Sequence, residues 1–82
     1  MGHNFVLLSK GTDVQTFAMQ AMEAMDNDYI PESDAIIAYT RMLGGGESDT
    51  ISFAAPPKGR YPYLCSFPGH SGIMKGDFFV MD

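Results

Sequence analysis

A second cysteine is missing from this sequence of 82 residues, so no disulfide can form within the chain. A domain of this size buries only a modest fraction of its surface, and a disulfide, a metal or a partner commonly stabilises it. With the disulfide excluded, a metal is the natural additional cross-link, because metal binding is coupled to folding. The single cysteine does not identify the redox compartment.

Basic residues are also scarce, since five lysines and arginines stand against ten aspartates and glutamates, giving a net charge of −5. This balance argues against nucleic acid and against anionic lipid as partners, because both attract basic surfaces. No apolar run approaches the roughly 20 residues of a membrane-spanning helix. Residues 1–4 lack the basic start and apolar core of a signal peptide. Without repeats or linkers, residues 1–82 are expected to form one domain.

The most informative stretch is 65–74, where Cys65, His70 and Met74 stand among turn-forming residues. Alone, each has an ordinary explanation: a buried cysteine, a surface histidine and a methionine that fills a gap. Together they offer a thiolate, an imidazole and a thioether from one tight loop. His3 is the only other histidine. Two histidines, a cysteine and a weak axial methionine form the ligand set of copper centres that transfer electrons, so we predict a copper site.

The remaining pattern predicts a mainly β chain with one helix. The helix is expected to begin at Thr12, whose hydroxyl would form a capping box with Gln15, and to end at residues 26–28. Short apolar or alternating segments predict strands at 5–8, 35–40, 50–54, 60–65 and 76–81. Five such strands indicate an antiparallel sandwich, although they are too few to cover both sheets.

Three segments resemble the copper motifs of the azurins, within the cupredoxins: residues 2–4, 65–70 and 74–76. The likeness covers nearly the whole chain, and auracyanin-like members resemble it equally. It implies a Greek-key β-sandwich of the cupredoxin type with one inserted α-helix. It also implies one copper ion that alternates between Cu(I) and Cu(II), and a carrier of single electrons rather than an enzyme. Family members have further strands before the first ligand, so the domain is expected to be truncated at its N-terminus.

The resemblance assigns roles to individual residues. The implied equatorial ligands are His3, Cys65 and His70, with Met74 as the long axial ligand and the Gly2 carbonyl opposite it.

Two supporting hydrogen bonds follow from the same resemblance. Asn4 is expected to tie the first ligand segment to Ser66, and the Phe67 amide is expected to donate to the Cys65 sulfur. Bonds of this kind hold ligands in place and tune the potential of a metal.

The resemblance also implies how the chain meets other proteins. An apolar rim around His70 would receive redox partner proteins, and its members are Met1, Phe67, Pro68, Gly72 and Ile73. Family members work outside the cytoplasm, so a periplasmic or other extracytoplasmic location is implied. Without the earlier strands, several apolar residues are expected to remain uncovered and to promote self-association: Phe5, Leu7, Ile36, Phe78 and Phe79.

Other interpretations remain open. The protein could store or deliver copper, or be the copper-binding module of a larger redox enzyme. A free amine at Met1 with the following amides and His3 would offer four nitrogens, which suit square-planar copper(II) or nickel(II). Cys65 could instead be a nucleophile with His70 as its base, although no residue is evident that would orient the histidine.

Methionines recur at every third position in the predicted helix, at Met19, Met22 and Met25. The spacing is typical of motifs that handle copper(I). We expect instead that Met22 and Met25 pack against the core and that Met19 lies at the margin of that face, because methionine commonly fills irregular cores.

Overall fold

A computed structural model describes residues 2–81. Met1, which the sequence places on the rim and in the nitrogen site, lies outside this range. The described residues form four strands, one α-helix and one short 3₁₀-helix. Their bounds are β1 Val6–Leu8, α1 Val14–Met22, the 3₁₀-helix Met25–Asn27, β2 Ile36–Tyr39, β3 Gly59–Leu64 and β4 Lys75–Val80.

All four strands belong to one antiparallel sheet with the spatial order β2-β1-β3-β4. The buried strand β1 lies second, and its central Leu7 stands opposite Ala38 on one side and Tyr63 on the other. β3 and β4 are paired along their whole length, from Gly59 and Val80 to Leu64 and Lys75. The end of β3, which precedes Cys65, therefore lies directly beside the start of β4, which follows Met74.

The helix covers one face of this sheet. Phe17 and Ala21 are the buried residues of α1, and they join Val6, Leu8 and Leu64 in one apolar cluster. Alternate residues of a strand share a face, which explains why Val6 and Leu8 act together. This cluster fixes α1 beside the carboxyl end of β3, close to the loop that carries the predicted ligands.

Aromatic side chains pack on the opposite face. The Phe5 and Tyr63 rings lie 5.1 Å apart between centroids, and those of Phe53 and Phe78 lie 6.2 Å apart. Leu7 points to this side and is fully buried. The expectation that Leu7 would be uncovered is therefore wrong. Its strand is paired on both sides, and the aromatic side chains of this face lie around it.

The mainly β character with one inserted helix is confirmed, and four of the predicted strands match the structure to within one residue at each end. The predicted strand at 50–54 is wrong, since this segment forms no ladder with any described strand. Its alternation instead places Phe53 against Phe78 across the sheet face. All described strands thus lie in a single sheet.

The predicted start of the helix is wrong by one residue. Asp13, not Thr12, is the N-cap, and its carboxylate accepts hydrogen bonds from the Gln15 amide at 3.1 Å and the Thr16 hydroxyl at 3.0 Å. The Thr12 hydroxyl instead lies 3.0 Å from that of Ser9. The α-helix also ends at Met22, earlier than predicted, because the chain then tightens into the 3₁₀-helix.

The prediction that Met22 and Met25 pack into the core is also wrong. Both are exposed, as is Met19. Phe17 and Ala21 already fill the space between α1 and the sheet, which leaves the methionine face toward solvent.

Candidate metal centre

The first predicted ligand lies just outside the sheet. His3 forms an isolated antiparallel bridge with Leu43, in which the His3 amide donates to the Leu43 carbonyl at 2.9 Å and the Leu43 amide donates back at 2.7 Å. This pair of bonds anchors an otherwise exposed histidine beside the end of β1. Sequence reasoning missed Leu43, because a single bridge between distant segments leaves no local pattern.

Three of the other predicted ligands, Cys65, His70 and Met74, lie on the loop between β3 and β4. The His70 amide donates to the Phe67 carbonyl at 3.0 Å, closing a turn with Pro68 and Gly69 at its centre. Gly69 has φ +85°, and proline followed by a residue with positive φ is the sequence of a type II turn. The local sequence therefore dictates this reversal.

Two more bonds close the loop at its base. The Met74 amide donates to the His70 carbonyl at 2.7 Å, and the Cys65 amide donates to the Met74 carbonyl at 2.9 Å. The backbones of Cys65 and Met74, the predicted ligands at the two ends of the loop, are thus linked directly.

The turn and the bridge bring three donors together. The ligand atoms of His3, Cys65 and His70 all lie within 4.8 Å of one another, and these residues are the one such group of histidine, cysteine or acidic side chains found among residues 2–81. The His3 and His70 rings are stacked with centroids 4.8 Å apart, and the Cys65 Sγ lies 3.5 Å from His70 Nδ1. Metal–donor distances of about 2.0 to 2.3 Å separate two donors of one ion by at most about 4.6 Å. The three side chains therefore already have nearly the spacing that one ion requires.

A paired hydrogen bond joins the two ligand segments. The Asn4 amide donates to the Ser66 hydroxyl at 2.8 Å, and the Ser66 amide donates to the Asn4 side-chain oxygen at 2.8 Å. Ser66 is buried, so these bonds satisfy polar groups that water does not reach. The predicted tie between Asn4 and Ser66 is confirmed, and it connects the neighbour of His3 to the neighbour of Cys65.

Aromatic rings support the exposed side of the site. The Phe67 ring lies 4.8 Å from the His70 ring, and the Tyr29 ring meets Phe67 edge-on at 5.5 Å. Tyr29 has φ +63°, an uncommon conformation for a non-glycine residue. Sequence reasoning had not assigned Tyr29 a place at the site.

The two remaining predicted ligands lie at the edges of the group. Met74 lines a cavity of about 270 Å³ together with Cys65 and Asn4. Gly2 is held against Met42, and a Cβ at this position would come within 2.7 Å of the Met42 side chain. A larger residue at position 2 would therefore require the Met42 side chain to shift. Metal ligation by all five predicted residues, and donation from the Phe67 amide to the Cys65 sulfur, stay predictions.

A comparison with protein families decides what kind of site this is. Residues 1–81 match the family described as copper binding proteins, plastocyanin/azurin family. The chain belongs to this family. This plastocyanin/azurin member carries the soft thiolate and the imidazoles that copper favours, so its converging donors fit the metal that the family binds.

Individual relatives agree with the family assignment. Azurin-1 of Alcaligenes xylosoxydans xylosoxydans is 42% identical over the whole of this chain, and the azurin of Achromobacter denitrificans is 46% identical over 93% of it. The structure of an auracyanin from Roseiflexus castenholzii, 41% identical, superposes over the whole chain with a TM-score of 0.90. The cupredoxin-type fold is thereby confirmed. The match covers 67% and 54% of those two azurins and 68% of the auracyanin chain.

Proposed function

We propose that this chain binds one copper ion and carries single electrons between redox partner proteins. The proposed ligands are His3, Cys65, His70, Met74 and the Gly2 carbonyl. The observation that carries the proposal is the convergence of His3 with the 65–74 loop, across more than sixty residues of sequence. Copper, when bound, supplies a one-electron couple whose potential depends on the axial ligand and on the surroundings of the cysteine sulfur.

The role of the protein is to hold these ligands still. The Asn4–Ser66 bonds, the loop closure at Cys65 and the Phe67–His70 turn each restrain one part of the ligand set. A restrained set changes little when the charge at its centre changes. Electron transfer then needs little rearrangement, which suits a carrier better than a catalyst of bond making.

The exposed side of His70 is the proposed route for electrons and the surface for partner docking. Ile73 is 89% exposed, Gly72 is exposed, and the half-buried Phe67 and Pro68 lie on the same loop. When a partner protein binds briefly, an apolar surface around His70 excludes water from the contact. Such a surface does not require the partner to carry a particular charge. Electron carriers use small interfaces of this kind.

Location and self-association are further parts of the proposal. The azurin relatives support an extracytoplasmic location, and within residues 2–81 neither helix is long and apolar enough to cross a bilayer. Phe79 and Tyr39 are large, exposed residues of the edge strands β4 and β2. Their exposure supports the association of two copies of this chain through the edge strands of the sheet.

Visible spectroscopy of copper-loaded protein tests the ligand assignment. An intense absorption in the red is expected, because a thiolate bound to copper(II) gives a strong charge-transfer band, and Cys65→Ser should abolish it. Ser33→Ala, which removes a side-chain bond from the Ala35 amide near the Leu8 end of β1, is the matched control and should keep the band. Strong colour retained in the serine variant would refute the assignment. A weak band in the unchanged chain would favour the nitrogen site at residues 1–3.

Electrochemistry then separates a carrier from a copper-delivery protein. A reversible one-electron wave with fast self-exchange supports the carrier. Loss of copper to an apo-acceptor without a reversible wave would favour delivery.

A further inference from the structure

Three methionines on one exposed face are not used by the site described above. Met19, Met22 and Met25 are 64%, 56% and 64% exposed. Fully burying a methionine side chain stabilises the folded state by roughly 1.5 to 3 kcal/mol. These three side chains are mostly exposed, so they contribute little of that amount. The property that distinguishes the group is therefore the thioether itself, a soft donor.

The backbone places the three methionines at successive turns of the chain. In an α-helix a spacing of three residues drifts around the axis, whereas in a 3₁₀-helix residues three apart are eclipsed. From Glu23 onward the chain makes three-residue turns, with amide-to-carbonyl bonds from Glu23 to Gln20, Ala24 to Ala21 and Asn27 to Ala24. Met19 and Met22 therefore lie one turn apart on α1, and Met25 follows after these three-residue turns at the start of the 3₁₀-helix.

The local charge favours a cation on this face. The sequence has no lysine or arginine from residue 11 to residue 40, whereas six acidic residues lie in that span. Two of them, Glu23 and Asp26, alternate with the methionines and are exposed. A surface of one sign raises the local concentration of the opposite ion.

The same face borders the loop of the metal centre. Met19 and Met22 line a cleft of about 230 Å³, and its opposite wall is formed by residues 66–69 with 71 and 72. Soft thioether donors select monovalent copper among the biological first-row metals. We propose that Met19, Met22 and Met25 form a second metal site that binds Cu(I), separate from the Cys65 centre and across this cleft from it.

Silver(I), a monovalent probe with no redox step, tests the site on the Cys65→Ser chain. The proposal does not rest on the proposed electron-carrier function, because this variant lacks the thiolate of the first centre. The methyl NMR signals of Met19, Met22 and Met25 should shift together and saturate at one equivalent, while that of the exposed Met81 stays in place. Any shift of Met74 reports on the first centre.

Leucine variants give the second measurement. Each of Met19→Leu, Met22→Leu and Met25→Leu should weaken silver(I) binding at this site at least about tenfold, since even outer-shell partners of metal ligands are worth that much. Leucine has similar volume and helix propensity, so the fold should persist, which far-UV circular dichroism checks.

Met81→Leu is the matched control and should leave affinity unchanged. Equal affinities in Met22→Leu and Met81→Leu would overturn the proposal. It would equally fail if the three methyl signals responded to a redox partner protein but not to silver(I), since the face would then be a docking surface.

Discussion

Replacing Asn4 with alanine should loosen the metal centre and the fold together. Asn4 makes both bonds of the pair with Ser66, each 2.8 Å long. A hydrogen bond contributes about 1 kcal/mol net, and a buried polar group left without a partner costs about 1 to 3 kcal/mol. The Ser66 amide belongs to a residue only 2% exposed, so both effects apply and the loss should be about 2 to 4 kcal/mol.

This loss is large for a chain of 82 residues, whose free energy of unfolding should be about 4 to 12 kcal/mol at the usual 0.05 to 0.15 kcal/mol per residue. Ser66→Ala removes one bond but leaves the other, so it should cost only about 1 kcal/mol. Urea unfolding of the metal-free variants, followed by circular dichroism, measures both values. Their slopes in urea should agree, because the surface exposed on unfolding is the same.

Metal affinity gives an independent readout of the same bond pair. Because Asn4 joins the two segments that carry the proposed ligands, Asn4→Ala should weaken copper binding by about 10- to 100-fold. Ser33→Ala removes a side-chain bond to the Ala35 amide, far from the centre, and should leave the affinity unchanged. If Asn4→Ala were no more destabilising than Ser66→Ala, and bound copper as tightly as Ser33→Ala, the pair would not join the two segments as described.

Four further changes test separate parts of the structure. Met74→Leu in the copper-loaded chain should keep the intense colour and raise the reduction potential, measured by voltammetry, because an axial donor is lost; a fall would contradict axial ligation. Gly69→Ala should cost about 1 to 2 kcal/mol because of its positive φ, whereas Gly72→Ala, with open space and no positive φ, should be nearly neutral; equal losses in urea would refute this. Asp13→Ala should cost about 1 kcal/mol as a lost N-cap, and an unchanged urea midpoint would argue against the cap. Phe17→Ala should cost about 3 to 5 kcal/mol, and a loss below that of Asp13→Ala would place Phe17 outside the core.

The loop of the metal centre could be predicted from the sequence because its determinants are local. Pro68 and Gly69 encode the turn, and Cys65, His70 and Met74 lie on the segment that the turn reverses. The tie from Asn4 to Ser66 spans sixty-two positions and was reached only through family resemblance. Nothing in the spacing of these two residues indicates that they meet.

The wrong predictions for residues 50–54, Met22 and Met25 concern features that depend on distant neighbours. Apolar and polar residues alternate in 50–54 as they do in a strand. This alternation indicates which face is apolar, but it does not indicate whether a neighbouring strand edge is available for hydrogen bonds. Phe53 satisfies the pattern by packing against Phe78. Met22 and Met25 have helical spacing, yet the space beneath α1 is already filled by Phe17 and Ala21. Apolar periodicity therefore located the elements more reliably than it identified their buried faces.

The bond from the Cys65 amide to the Met74 carbonyl closes the intervening loop at its base. Its two ends are fastened to each other and continue into β3 and β4, whose ladder remains paired up to Leu64 and Lys75. Insertions or deletions between these ends would therefore alter the spacing of the proposed ligands on the loop while the sheet keeps its register. The length and composition of this loop can thus vary without a change in the strand pairing beneath it.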